Sequence, residues 1–327
     1  MSNVYEKLRD HAGLVDLTNW TRFEVTGADA TDALDSVMGG NMLDLFEGKA
    51  MNTLIPSLDG GVEAIVWVIA TVDGFSVVAE PEETQAVAAV LGGLPDAFDV
   101  VVSDQSDTQF HLVLTGPNAE AIAETALGDD ILSIAFLNAY VLPNEVLAAR
   151  IGYFGEYELH LFGTPDNKDL VISALNEAAG VDLIADQSAF PTMMAEMRVL
   201  NRARDIPPEV SVFDAGLQWM VDFQKENLRG ADALASRRDE PGRACVLMVL
   251  DDQEIVSGAI SVEGEQIGAV QAAYPSATLG KTVALAYLDA DIATSGLVLQ
   301  TSAGVATTVS APAFLSKSVT NSMGQAA

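Results

Sequence analysis

Two acids beside glycine turns and a run of arginines are, by type and spacing, the residues of this chain best suited to chemistry. Glu63 stands just past Gly60-Gly61 at the head of the apolar run 62–72. A carboxylate there can move a proton or balance a developing positive charge. Glu156 closes the segment Gly152-Tyr153-Phe154-Gly155-Glu156. Its carboxylate can accept two N–H bonds from a guanidine-like edge, and Tyr153 offers a ring to border a flat ligand. Arg198, Arg202, Arg204, Lys225, Arg229, Arg237, Arg238 and Arg243 crowd into one short stretch. Where such groups converge they form an anion site, because the planar guanidinium fork grips both oxygens of a carboxylate. Most of them are expected to neutralise neighbouring acids, with Arg198 and Arg229 the candidates for ligand contact.

Other chemistry finds little support. His11, His111 and His160 are isolated, and none has the spacing of a metal-ligand pair. Cys245 is the single cysteine, so no disulfide forms within the chain, which fits a reducing, cytoplasmic setting. No glycine-rich phosphate loop and no Gly-x-Ser-x-Gly is present. Sixteen Lys+Arg against 47 Asp+Glu give a formal charge of −31, a surface that repels nucleic acid and anionic lipid. The start lacks the apolar stretch of a signal peptide, and the longest apolar run, interrupted by Glu63, is too short to span a bilayer.

These side chains need a scaffold larger than one typical domain, since the chain has 327 residues, 49% of them hydrophobic. Residues 4–13 read as a short amphipathic helix and 14–25 as a strand pair turning near Asn19. Asp29 is an N-cap type ahead of the apolar stripe Ala30, Ala33, Leu34 and Val37, and Gly39-Gly40 ends that helix. Strands follow at 51–56 and 62–72, and Asp73-Gly74 is a hairpin signal before a strand at 75–79. A helix at 84–91, strands at 98–103 and 110–114, and a helix at 119–126 complete an α+β module with an antiparallel sheet. Strands at 147–151 and 157–162 flank the Gly152 and Gly155 turns, and helices are expected at 166–179 and 191–202. From Arg243 the pattern changes to short β segments at 245–250, 254–262, 266–272, 283–288 and 296–300, a small all-β domain. The tail 320–327 is small and polar and is expected to fray.

Four stretches, in order, resemble the aminomethyltransferase (glycine-cleavage T-protein) family. They are Leu14-Val15-Asp16-Leu17 through Arg22-Phe23-Glu24-Val25-Thr26-Gly27-Ala28-Asp29-Ala30; Gly152-Tyr153-Phe154-Gly155-Glu156-Tyr157-Glu158-Leu159; Phe213-Asp214-Ala215-Gly216-Leu217-Gln218-Trp219 with Lys225 and Gly230-Ala231-Asp232-Ala233-Leu234; and Ile267-Gly268-Ala269-Val270 through Pro275-Ser276-Ala277-Thr278-Leu279-Gly280 and Val283–Tyr287. The resemblance implies an α+β, three-domain cloverleaf. It places a discontinuous folate-binding domain at 1–50 plus 140–235, an inserted ferredoxin-like module at 51–139 and a C-terminal β-barrel at 243–320. It also implies a central channel for tetrahydrofolate, with Glu156 and Tyr153 at the pterin and Arg198 nearby.

The sequence departs from the family where its aspartate pair follows the Gly-Gly turn: here the residues read Gly60-Gly61-Val62-Glu63-Ala64-Ile65-Val66. Glu63 is the nearest acid and replaces the aspartate only if the strand shifts by one residue. The functional expectation is tetrahydrofolate-dependent transfer of a methyl or aminomethyl unit from a small amine, ether or sulfonium donor, as in the family's aminomethyltransferases and demethylases. Glu63, Glu156 and Asp16 are the candidate carboxylates for that transfer. The alternative is a non-catalytic folate-binding protein of the same fold. No residue pattern points to a carrier-protein partner.

Overall fold

The computed structural model describes residues 3–238, 242–251, 258–301 and 304–325. Three β-units organise them. The first is a five-stranded antiparallel sheet in the order Ala50–Pro56, Val62–Thr71, Gly74–Ala79, Thr21–Thr26, Val101–Asp104. The second is six-stranded, in the order Leu183–Ile184, Gly13–Asp16, Phe110–Thr115, Glu158–Gly163, Leu147–Ala149, Ala139–Val141. The third is a closed barrel, Arg243–Leu250, Lys281–Asp289, Glu265–Ser276, Gly258–Val262, Val298–Thr301, Gly304–Val309. This is the expected α+β architecture with a C-terminal barrel.

Strand Val62–Thr71 is almost wholly apolar because both of its faces are covered. Ala64, Val66, Val68 and Ala70 pack with Leu34, Val87 and Leu91 from the helices Ala30–Val37 and Thr84–Leu91. Trp67 and Ile69 pack on the other side with Tyr153, Phe154 and Phe190. The Asp73-Gly74 turn joins this strand to Gly74–Ala79, pairing Thr71 with Gly74 as the hairpin signal predicts.

Several expectations are corrected. Residues 14–25 form two strands that do not pair with each other. Gly13–Asp16 joins the six-stranded sheet and Thr21–Thr26 the five-stranded one, so the chain crosses between units near Asn19. The two sheets are therefore interleaved in sequence. Thr21–Thr26 sits with strands from 50–104, and Phe110–Thr115 sits with strands from 139–163, so the sheets do not divide at residues 50 and 140. Asp29 makes no cap bond to its own helix; its Oδ2 accepts Asp99 N–H at 2.9 Å. The helix expected at 191–202 stops at Met197, where Arg198 adopts φ 57°. Of the strand expected at 254–262 only Gly258–Val262 is described, and 252–257 lie outside the described residues. Residues Lys317–Gln325 form a helix where fraying was expected; 326 and 327 lie outside the described residues. Among the described residues no helix is long and apolar enough to cross a membrane.

Gly155 shows how tightly the loop 152–158 is fitted. Its φ is 77°, and a Cβ there would overlap Met197 Sδ. Gly155→Ala is expected to lower stability by about 1–3 kcal/mol, from left-handed strain and displacement of Met197. A denaturant midpoint matching that of the unmodified protein would refute this.

Candidate functional site

A cavity of about 680 Å³ opens between the five-stranded sheet, the loops around Phe136 and Gly152, and the chain from Met197 to Asp222. Its floor is contributed by Met51, Asn52, Ile65 and Trp67 of the five-stranded sheet. One wall is Gly152 and Tyr153; another is the chain from Met197 to Leu200. The segment 217–222, leading toward the barrel, forms the third, and the exposed side chains of Phe136 and Trp219 rim the mouth. Ligand sites are commonly concave, mostly apolar and supplied with a few converging polar groups, and this volume suits a drug-sized molecule.

Glu63 does not line the cavity. Its strand carries a β-bulge: Ile55 pairs with Ala64 and Pro56 with Val62, leaving Glu63 as the extra residue. A bulge changes which face a side chain takes. Val62 joins Ile65 in the cluster packed toward the barrel, while Glu63 falls in a separate depression lined by Val90, Leu94 and Phe98. There Arg229 Nη2 lies 3.8 Å from Glu63 Oε2, and Arg229 Nε donates to Pro56 O at 3.1 Å. The structure thus brings Glu63 and Arg229 to each other, and neither to the cavity. Ile65 is the residue of this strand segment that faces the cavity, where an acid was expected.

Glu156 is also elsewhere. It is buried, accepts Arg9 Nη1 at 3.2 Å and takes Ser318 N–H and Oγ–H at 3.0 and 2.6 Å. The acid that shapes the loop is Glu158. Its Oε1 accepts Tyr153 N–H at 3.0 Å and Phe154 N–H at 2.7 Å, which fixes the loop behind Gly152. Asp16 is outside the cavity as well, paired with Lys168 at 2.8 Å.

Tyr153 and Arg198 line the cavity. Tyr153 stands edge-on to Trp20 and Trp67, at 4.9 and 6.2 Å between ring centroids. Burial, reinforced by Glu80 and Glu83, holds its hydroxyl far above the ordinary tyrosine range. It is therefore a hydrogen-bond donor at neutral pH and not a base. The left-handed turn at Arg198 carries its fork to the carbonyls of Ala215 and Cys245, at 3.1 and 3.0 Å from Nη2. Arg198 thereby pins the cavity wall to the barrel. The rest of the basic stretch disperses: Arg202 donates to Val62 O and Ile206 O, Lys225 to Met38 O and Gly40 O, and Arg238 lies over the Phe223 ring. Among the described residues they do not converge on an anion site, because backbone carbonyls and neighbouring acids, Asp205 for Arg204 and Asp35 for Lys225, take their donors.

Three cavity residues escaped the sequence reading. Trp67 sits within an apolar run and reads as core, yet its buried Nε1 has no hydrogen-bond partner. Asn52, paired across the strands with Trp67, donates Nδ2–H to Val66 O at 3.1 Å. Glu80 follows strand Gly74–Ala79, is buried, and has Arg204 Nη1 3.6 Å away. Burial pushes its carboxyl up, with Arg204 and Asn201 opposing. The one available signal was a polar asparagine amid strand residues, and alternation alone does not say which face a cavity uses.

Residues 2–225 match the GCVT N-terminal domain, and 243–315 match the glycine cleavage T-protein C-terminal barrel domain. The aminomethyltransferase of Streptomyces avermitilis is 31% identical over 305 residues, covering 88% of this chain and 81% of the relative. That of Streptomyces coelicolor is 30% identical over 300 residues, covering 86% and 79%. The glycine cleavage system aminomethyltransferase T from Bartonella henselae superposes with a TM-score of 0.86 at 21% identity, covering 95% of this chain and 89% of that one, which establishes the shared fold. With both of its domains matched along nearly the whole chain, this protein belongs to the glycine cleavage T-protein family.

Proposed function

We propose that the cavity binds tetrahydrofolate and that the protein transfers a one-carbon unit, aminomethyl or methyl, from a small donor to it. The observation that carries this reading is Trp67, a cavity-lining residue whose buried Nε1 has no hydrogen-bond partner, set among apolar and aromatic side chains with Asn52, Glu80, Arg198 and Asp222 beside them. A buried donor without a partner is unfavourable, and a ligand acceptor relieves it. The ring system of a reduced folate meets these residues well. Trp67 and Tyr153 would donate to its acceptors, and the Asn52 side chain would accept from its N–H edge. When bound, the folate supplies the ring nitrogen that receives the carbon.

The chain's own part is placement. Packing donor and folate in one closed site replaces an encounter between two molecules by a nearly unimolecular event, worth about 7–11 kcal/mol at most. Tyr153 keeps its proton and serves as a fixed donor. Phe136 and Trp219 shield the mouth from water. The relatives named aminomethyltransferase favour transfer over non-catalytic binding.

Calorimetric titration with tetrahydrofolate tests the reading. Micromolar affinity is expected, and Trp67→Phe, which removes only the indole donor, should weaken it by about three- to tenfold, the worth of one neutral hydrogen bond. Absence of binding at millimolar ligand would end the proposal.

A further inference from the structure

We propose that the depression holding Glu63 and Arg229 is a second binding site, which takes a free α-amino acid with an apolar side chain. Arg229 receives the carboxylate, Glu63 the ammonium group and the apolar lining the side chain. The site stands independently of the folate reading above.

The backbone sets the two charges in place. The bulge against Ile55 and Pro56 leaves Glu63 as the extra residue of its strand, and bulges commonly re-aim a side chain beside a site. Arg229 is fixed along its length: its backbone N–H donates to Ser36 O at 2.8 Å and its Nε to Pro56 O at 3.1 Å. The far end of the guanidinium stays open. Its Nη2 lies 3.8 Å from Glu63 Oε2, beyond hydrogen-bond reach. Among the described residues, neither the Glu63 carboxylate nor the Nη groups of Arg229 have a hydrogen-bond partner. Both side chains keep some exposure, 35% and 26%, so a ligand can reach them.

The remaining lining is apolar. Val37 ends the helix Ala30–Val37, Val90 lies in Thr84–Leu91, and Leu94 and Phe98 follow. Leu94 is buried with Ala64 and Val66 in the core of this unit, and the other three pack against it. The depression has a volume of about 370 Å³, within the range of roughly 300–1,000 Å³ typical of small-molecule sites.

Charge selects the ligand class. A simple anion at Arg229 meets Glu63 beside it and a chain of net charge −31, and a simple cation at Glu63 meets Arg229. An α-amino acid carries both charges one carbon apart. It can bridge Glu63 and Arg229 without separating them, and its carboxylate suits the planar guanidinium fork. An apolar side chain on the same carbon then covers Val90, Leu94 and Phe98, removing apolar surface from water.

The test is calorimetric titration of the whole protein, without folate, with L-leucine and L-phenylalanine. At least one of them is expected to bind with a dissociation constant of about 1 mM or below. Three analogues probe the recognition: the amide of that amino acid, which lacks the carboxylate; its N-acetyl derivative, which lacks the ammonium charge; and glycine, which lacks the side chain. Each should bind at least about tenfold more weakly, as loss of one charge-assisted contact or of the apolar burial demands. Glu63→Gln and Arg229→Gln should each weaken the amino acid by a similar factor. The analogue series uses the unmodified protein, so it decides the matter even where a variant fails to fold. No heat from either amino acid at about ten times that concentration overturns the assignment. So does equal affinity for the amide or the N-acetyl derivative, and so does binding that survives both substitutions, which would place it elsewhere on the protein.

Discussion

Replacing Arg9 with methionine is expected to destabilise the protein by about 3–5 kcal/mol, the usual consequence of removing one partner from a buried ionic network. Arg9 is 3% exposed. Its Nη1 donates to Phe154 O at 2.6 Å and lies 3.2 Å from Glu156, while Nη2 reaches Glu196 at 2.6 Å and Met193 O at 3.3 Å. Glu196 also accepts the Tyr5 hydroxyl at 2.5 Å. Burial opposes the charge on Arg9, and Glu196, ahead of Tyr5 and Glu156, more than restores it. Without the guanidinium, two carboxylates stay buried with no countercharge. The network also ties the helix Asn3–Asp10 to the loop behind the cavity, to the helix Phe190–Met197 and, through Ser318 on Glu156, to the C-terminal helix. Urea unfolding measures the loss. Arg9→Met combined with Glu156→Gln and Glu196→Gln should recover much of it, since a neutral network needs no countercharge. A single-variant loss below about 1 kcal/mol would show that the network contributes little.

The next largest expectation concerns pH. Glu83 accepts Ile65 N–H and Arg202 N–H at 2.7 and 2.6 Å. Burial nevertheless outweighs those bonds and pushes its carboxyl up to about 8. A carboxyl raised in the folded state binds its proton more tightly there than in the unfolded chain. Its contribution to stability is complete below the ordinary value of 4.5 and is lost as pH rises through about 8. The total is on the order of 5 kcal/mol for a group so deeply buried. The unfolding free energy should therefore fall between pH 5 and pH 8 by more in the unmodified protein than in Glu83→Gln, whose amide does not titrate. The difference between the two curves separates Glu83 from the general repulsion of a chain with net charge −31. Parallel curves would mean that Glu83 is ionised throughout.

Much of the architecture was legible from local signals. The hairpin at Asp73-Gly74, the helix stripe at Ala30, Ala33 and Leu34, and the change to short strands after Arg243 each depend on residues near one another in sequence. The motifs carried the family as well, because glycine turns and their flanking residues are local features. The site was legible only in part. Tyr153 and Arg198 line the cavity, whereas Glu63, Glu156 and Arg229 do not. The helix break at Arg198 was missed, since its left-handed turn is held by carbonyls of Ala215 and Cys245 distant in sequence.

The sequence by itself thus determined the kinds of elements, their order and the family to which they belong. Tertiary structure alone decided which acid faces the cavity. Side chains on a strand alternate, so a one-residue bulge against Ile55 and Pro56 turns Glu63 away and leaves Ile65 facing inward. Glu80, just past the end of strand Gly74–Ala79, lines the same cavity. The outcomes for Glu63 and Ile65 depend on cross-strand register, a relation between segments that neither segment encodes alone.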